Sequence, residues 1–214
     1  MEFKATLVTW EEIEKWCKRI FEKVSSNYKP DAIVALSRGG LIPGRILSDL
    51  LLVKDLYAVK TEHWGITASL DGKAKLQDSG ILNINGKRIL VVDDITDTGE
   101  SMLLALKHLQ SMNPVEIKTA TMLHIDHSKY TPDFFAEPIS KDNWAWFVFP
   151  WNITEDIYNL IMKTPLRTGT SPEFLSELQE RFSLEINEES LKRYLGVLSG
   201  TGKIRYDDET WLIE

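Results

Sequence analysis

The chain has 214 residues, 43% of them hydrophobic and 27% charged. That balance suits one folded domain, or one with a small appendage, and excludes a disordered chain. The formal net charge is −7 with Lys and Arg scattered along the sequence, which argues against a nucleic-acid surface. A lone cysteine, Cys17, rules out an intramolecular disulfide. No apolar run reaches the length of about 18 residues that a membrane span needs, and residues 1–10 lack the basic-then-apolar pattern of a secretory leader. A soluble, cytoplasmic protein is expected.

In chain order, residues 10–24 read as an amphipathic helix. Ile13, Trp16, Cys17, Ile20, Phe21 and Val24 share one face, with Thr9 and Glu12 placed for a capping box. Residues 31–36 form a short apolar strand. It ends in the turn Ser37-Arg38-Gly39-Gly40 and is followed by a helix over 41–52. A second strand spans 56–60. Residues 62–80 are polar and aperiodic and read as a long loop.

The β-branched run 88–92 suits a central parallel strand. A helix over 101–112, a strand over 116–124 and short extended pieces at 133–135 and 146–149 follow. Strands alternating with helices predict an α/β fold, a parallel twisted sheet flanked by crossover helices.

The character changes near Pro165. Ser171 reads as an N-cap with Pro172 at the first helical position. A second helix follows over 188–198, then a hairpin over 203–213 turning at Asp207-Asp208. The predicted organisation is a catalytic domain with a small hood over 1–164 and a winged-helix-like appendage over 165–214. Phe174, Leu178, Leu191, Tyr194, Leu195 and Trp211 are its expected core. The appendage carries six Lys/Arg against ten Asp/Glu, a poor charge for reading DNA.

The strongest chemical signal is the run Ile89-Leu-Val-Val-Asp93-Asp94-Ile-Thr-Asp97-Thr98-Gly99-Glu100-Ser101. A buried strand delivers two adjacent carboxylates at its C-terminal end, where open α/β sheets bind ligands. The turn beyond opens a helix, whose N-terminus favours a phosphate. Neighbouring carboxylates accept from vicinal hydroxyls, so one strand-turn-helix unit can grip both ends of a ribose phosphate.

This segment resembles the signature of the type I phosphoribosyltransferases, which bind PRPP (5-phosphoribosyl 1-diphosphate). The resemblance implies that Asp93 and Asp94 hold the ribose hydroxyls and a Mg²⁺ ion. It implies that Asp97, Thr98, Gly99, Glu100 and Ser101 surround the 5′-phosphate, and that Asp97 is a catalytic acid/base near the purine N7. Upstream, Ser37, Arg38, Gly39 and Gly40 resemble the family's pyrophosphate loop in its 6-oxopurine branch, which implies a cis peptide between Ser37 and Arg38. Residues 62–80 take the place of the family's active-site flap, with Lys73 and Lys75 as pyrophosphate ligands. The run from Asn143 to Asn152 resembles a purine-binding hood, with Trp146 or Phe147 stacking on the base.

The resemblance breaks at one point. The 6-oxopurine enzymes place a lysine after the strand that follows the PRPP helix. Here that position falls near Ile125, next to Asp126, and no lysine occurs before Lys129. A backbone carbonyl or Asp126 would accept from the adenine amino group. The expected reaction is therefore transfer from PRPP to adenine, giving AMP in purine salvage. The alternatives are a hypoxanthine, guanine or xanthine enzyme, or a PRPP-sensing regulator. No nucleic-acid or membrane partner is expected, and the resemblance implies a homodimer or higher homo-oligomer.

Overall fold

The computed structural model describes residues 3–63, 74–77 and 82–213, the stretches 61–63 and 74–77 by their backbone alone. They form two compact units, one of residues 11–144, the other of 1–10 with 145–214.

The larger unit is built on a six-stranded sheet. Its strands are β2 (Ala32–Ser37), β3 (Leu56–His63), β4 (Ala74–Gln77), β5 (Arg88–Thr96), β6 (Glu116–Ile125) and β7 (Phe134–Ile139), in the order β4-β3-β2-β5-β6-β7. All neighbours are parallel except the edge pair β3–β4. Helix α2 (Leu41–Leu50) connects β2 to β3, and α3 (Glu100–Gln110) connects β5 to β6. The chain leaves β2 toward one edge of the sheet and later places β5 on the other side of β2. The two strands therefore flank the topological switch point, where such sheets open a crevice at their carboxyl ends.

The sheet is buried on both faces. Ile33, Ile89, Leu90, Val91, Val92 and Leu123 are solvent-inaccessible, which explains the unbroken apolar runs in β2 and β5. One face carries α1 (Trp10–Asn27). Cys17 packs its sulfur 4.0 Å from that of Met122, and burial pushes its thiol up to about 12. Arg19 pairs with Glu137, and Lys23 lies over the Phe135 ring while donating to the Phe135 carbonyl at 2.6 Å. The Tyr28 hydroxyl donates to the carbonyls of Ile89 and Glu116 at 3.1 and 3.2 Å, tying the end of the helix to β5 and β6. On the other face Val34, Leu36, Val59, Val91, Met102, Ala105 and Leu109 form one cluster.

The smaller unit joins both ends of the chain. Strand β1 (Ala5–Leu7) pairs in parallel with β8 (Trp146–Val148). Helices α4 (Ile153–Lys163), α5 (Ser171–Phe182) and α6 (Glu188–Gly200) follow, with a three-stranded sheet of β9 (Thr168–Gly169), β10 (Ile204–Asp207) and β11 (Thr210–Ile213) in the order β10-β11-β9. The predicted helix-helix-hairpin is present. Its core residues Phe174, Leu178, Leu191, Leu195 and Trp211 are buried, and Tyr194 packs against them.

That core is continuous with Ala5, Val148, Ile157, Leu160 and Ile161. The smaller unit therefore takes in residues from Ala145 onward, together with the expected appendage 165–214. The N-cap of α5 differs from its prediction. Thr170 caps the helix in a reciprocal box with Glu173, while buried Ser171 accepts the Trp211 indole N–H at 2.9 Å.

Candidate active site

The first group of site residues stands where β5 leaves the core. Ile89 to Val92 are fully buried, and the next two residues, Asp93 and Asp94, are half-buried. The Asp94 backbone N–H donates to Asp93 Oδ1 at 3.0 Å, and the Ile95 N–H donates to Asp94 Oδ1 at 2.8 Å. Both carboxylates are thereby fixed by the strand's own amides. Burial first, and the neighbouring Asp94 charge second, hold the Asp93 carboxyl well above the usual carboxylate range. A cation or hydroxyl donors bound there would relieve that cost.

The turn after β2 closes on these acids. Ala35 pairs with Val92, so Ser37 and Asp94 both lie two residues beyond the same register point. A Cβ on Gly39 would sit 2.1 Å from Asp94 Oδ2, and one on Gly40 would sit 2.3 Å from the Val92 carbonyl oxygen. Only glycine allows this approach of backbone to carboxylate. The Ser37–Arg38 peptide is cis. Ser37 Oγ donates to the Val59 carbonyl at 3.3 Å, and Arg38 is exposed on the turn.

The second half of the motif forms the N-terminus of α3. Gly99 is its cap residue at φ 80°, a left-handed conformation suited to glycine. The Glu100 N–H points at Thr98 Oγ1, 3.4 Å away, and Ser101 follows in the first helical turn. A third segment, after β6, packs onto this turn. The Lys129 N–H donates to the Thr98 carbonyl at 3.1 Å, and the Lys129 ammonium donates to Glu100 Oε1 at 2.9 Å. A Cβ on Gly99 would meet Ser128 Oγ at 2.7 Å. His127 Nε2 lies 3.1 Å from Asp97 Oδ1. That buried oxygen has no partner in hydrogen-bond geometry among the described residues.

The structure thus brings together Ser37, Arg38, Gly39, Gly40, Asp93, Asp94, Asp97, Thr98, Gly99, Glu100 and Ser101 around the carboxyl ends of β2 and β5. Ile125 does not present a side chain: it is fully buried, and its carbonyl accepts the Ser128 N–H at 3.0 Å. Asp126 beside it is exposed. Lys73 lies outside the described residues. Lys75 belongs to β4, opposite Glu62, with its side chain outside the description.

Trp146 and Phe147 belong to the smaller unit. The Trp146 indole N–H donates to buried Asp156 at 3.1 Å, and the Trp146 ring packs on that unit's core. Strand alternation turns Phe147 to the opposite face. Sequence reasoning missed His127 and Ser128 and gave Lys129 no place at the turn. The polar run directly after an apolar strand, at the ligand end of the sheet, was the signal available.

Among the described residues no cluster of three or more potential metal ligands occurs. Two adjacent carboxylates are too few to cage a metal. They do suit Mg²⁺, which keeps waters and takes most of its oxygens from a phosphorylated substrate.

A parallel sheet with paired acids and a helix N-terminus at its switch point is suited to a sugar-phosphate ligand. Residues 5–157 match the phosphoribosyl transferase domain family. The chain belongs to that family and is a phosphoribosyltransferase. It is 28% identical over 148 residues to the xanthine-guanine phosphoribosyltransferase of Idiomarina loihiensis, covering 68% of this chain and 86% of the relative. It is 25% identical over 180 residues to the hypoxanthine-guanine phosphoribosyltransferase of Schizosaccharomyces pombe, covering 67% and 86%. Among solved structures, the purine phosphoribosyltransferase of Pyrococcus horikoshii superposes with a TM-score of 0.59 at 27% identity, over 71% of this chain and 94% of that one.

Proposed function

We propose that the enzyme transfers the 5-phosphoribosyl group from PRPP to a purine, with adenine as the preferred base and AMP and pyrophosphate as products. The observation that carries the choice of base is the end of β6. Ile125 is buried, the exposed group beside it is the carboxylate of Asp126, and the first lysine downstream, Lys129, is engaged by Glu100. An acceptor at this position matches the adenine amino group and leaves a 6-oxo group unpaired, which disfavours the oxopurines strongly.

In this reading Asp93 and Asp94 accept from the ribose hydroxyls, and the turn from Asp97 to Ser101 receives the 5′-phosphate. The Gly39-Gly40 backbone with Arg38 receives the pyrophosphate. Mg²⁺, held by Asp93 and Asp94 together with substrate oxygens, would neutralise the leaving group. Asp97, whose Oδ1 lies 3.1 Å from His127 Nε2, accepts or donates the proton at the purine nitrogen. Phe147, turned from its unit's core, offers a face on which a base can stack.

A second reading has its own support, because the curated relatives are named for hypoxanthine, guanine and xanthine. Purified enzyme offered each base with PRPP separates the two. Adenine should give the highest kcat/KM; turnover of guanine or hypoxanthine with no AMP formed from adenine would overturn the choice. We further propose a homodimer, which light scattering on the purified enzyme would test.

A further inference from the structure

The phosphate-binding turn carries an electrostatic contradiction. Its residues include the carboxylates of Asp97 and Glu100, with Asp93 and Asp94 on the strand just before them. A 5′-phosphate placed there adds more negative charge to a site that already holds it. The helix N-terminus offsets only about half an elementary charge.

One feature of the structure answers this. Lys129 donates its ammonium to Glu100 at 2.9 Å, while its backbone N–H donates to the Thr98 carbonyl at 3.1 Å. Ser128 and Tyr130 on either side abut Gly99, and the Tyr130 N–H is 3.3 Å from Ser128 Oγ. The segment after β6 is thereby fastened to the turn at three successive residues. Its one cation is delivered to the one acidic side chain at the start of α3.

We propose that Lys129 is a positioning residue for PRPP: through its ion pair with Glu100 it neutralises and holds aside that carboxylate, so that the turn accepts the 5′-phosphate. The proposal rests on the reading of residues 97–101 as the phosphate cup. It assigns Lys129 to the phosphate and not to the base. It also explains how an acid is tolerated at the mouth of an anion site.

The test is a double-mutant cycle read in steady-state kinetics. Lys129→Ala should raise KM for PRPP about fivefold, the upper range for a largely exposed pair, with kcat and KM for the base little changed. Lys129→Arg should retain the parent KM. Glu100→Gln combined with Lys129→Ala should restore most of the loss, because the uncompensated carboxylate is gone. The defect of Lys129→Ala should shrink as salt is raised from about 0.05 to about 0.5 M, where Debye screening weakens the repulsion.

A KM for PRPP in Lys129→Ala within about twofold of the parent overturns the proposal. So does a double variant as poor as the single one, since that would make Lys129 a packing residue. Ser101→Ala separates the two levels of inference. If it raises KM for PRPP while Lys129→Ala does not, the cup stands and the role of Lys129 falls. If neither Ser101→Ala nor Lys129→Ala changes KM for PRPP, the cup itself is misassigned. Thermal melts of each variant confirm that the protein is folded.

Discussion

Replacing Gly39 by alanine isolates the contact between the two site turns. The added Cβ would lie 2.1 Å from Asp94 Oδ2, 2.3 Å from its Cγ and 2.5 Å from Oδ1. Ordinary van der Waals contact begins near ~3.5 Å, so the carboxylate must retreat by roughly 1 Å or more. Asp94 can do so, because only the end of its side chain is in the way. The retreat breaks the 2.8 Å bond from the Ile95 N–H that sets its direction. The stability loss should therefore be small, about 1 kcal/mol or less. The loss of activity should not be small. A misplacement of about 1 Å in a positioning group costs about 10²-fold in rate, close to 2.7 kcal/mol of transition-state stabilisation.

Gly40→Ala is the contrasting control. There the Cβ would meet the Val92 carbonyl oxygen at 2.3 Å, the Leu36 carbonyl oxygen at 2.7 Å and the Leu36 nitrogen at 2.9 Å. All three are backbone atoms of neighbouring central strands and cannot swing aside. This variant should lose about 1–3 kcal/mol, a fall in Tm of about 2–12 °C for a chain of this size. The assay is kcat/KM for PRPP beside a thermal melt. A Gly39→Ala enzyme with kcat/KM within about threefold of the parent, or one that melts as low as Gly40→Ala, would refute the reasoning.

Three further outcomes are expected. Asp93→Asn with Asp94→Asn should weaken PRPP binding by about 100-fold or more at saturating Mg²⁺, because both proposed ribose acceptors lose their charge; titration calorimetry checks it. Phe147→Ala should raise KM for the base with little effect on KM for PRPP, consistent with a stacking contact; equal effects on both would remove Phe147 from the base site. The third concerns acid stability. Hydrogen bonds from the Arg88 side chain and backbone lower the Asp31 carboxyl from 3.8 to about 2. Because the folded value is depressed, the contribution is present above about pH 4 and disappears as pH falls through about 2. Asp31→Asn should therefore lower the urea midpoint at pH 6 and leave it nearly unchanged at pH 2, and an equal offset at both pH values would contradict the assignment.

The sequence announced the centre of the molecule and missed much of its edges. Residues 88–101 declared strand, acids, turn and helix because burial on both faces forces an unbroken apolar run, and the chemistry follows at its end. The strand is longer than its apolar part, reaching Thr96 and carrying Asp93 and Asp94 within it. Strand β4 lay hidden inside a stretch read as loop, since a four-residue edge strand of sequence Ala-Lys-Leu-Gln has no clear signal. Helix α4 has no side-chain cap at Asn152 to mark its start, although Ile157, Leu160 and Ile161 share its buried face. Strand β1 was invisible because its partner β8 is remote in sequence.

At the site, the acids and glycines were legible from motif order. The packing of Ser128 and Lys129 on the turn was not, because no local pattern reports which loop of a sheet will fold onto its neighbour. Ser171 shows the same limit on a smaller scale. Its hydroxyl is taken by Trp211, forty residues away in the chain, so the cap passes to Thr170.

The parallel pairing of β1 with β8 has a consequence for biogenesis. Ala5 leaves the ribosome about 140 residues before Trp146, its partner, an interval of roughly 7–28 s at ordinary translation speed. Throughout that time the first strand has an open hydrogen-bonding edge and no native neighbour to occupy it. Nascent chains of this enzyme would thus expose a short sticky segment until late in synthesis, which makes the leading end a natural place for a chaperone to wait.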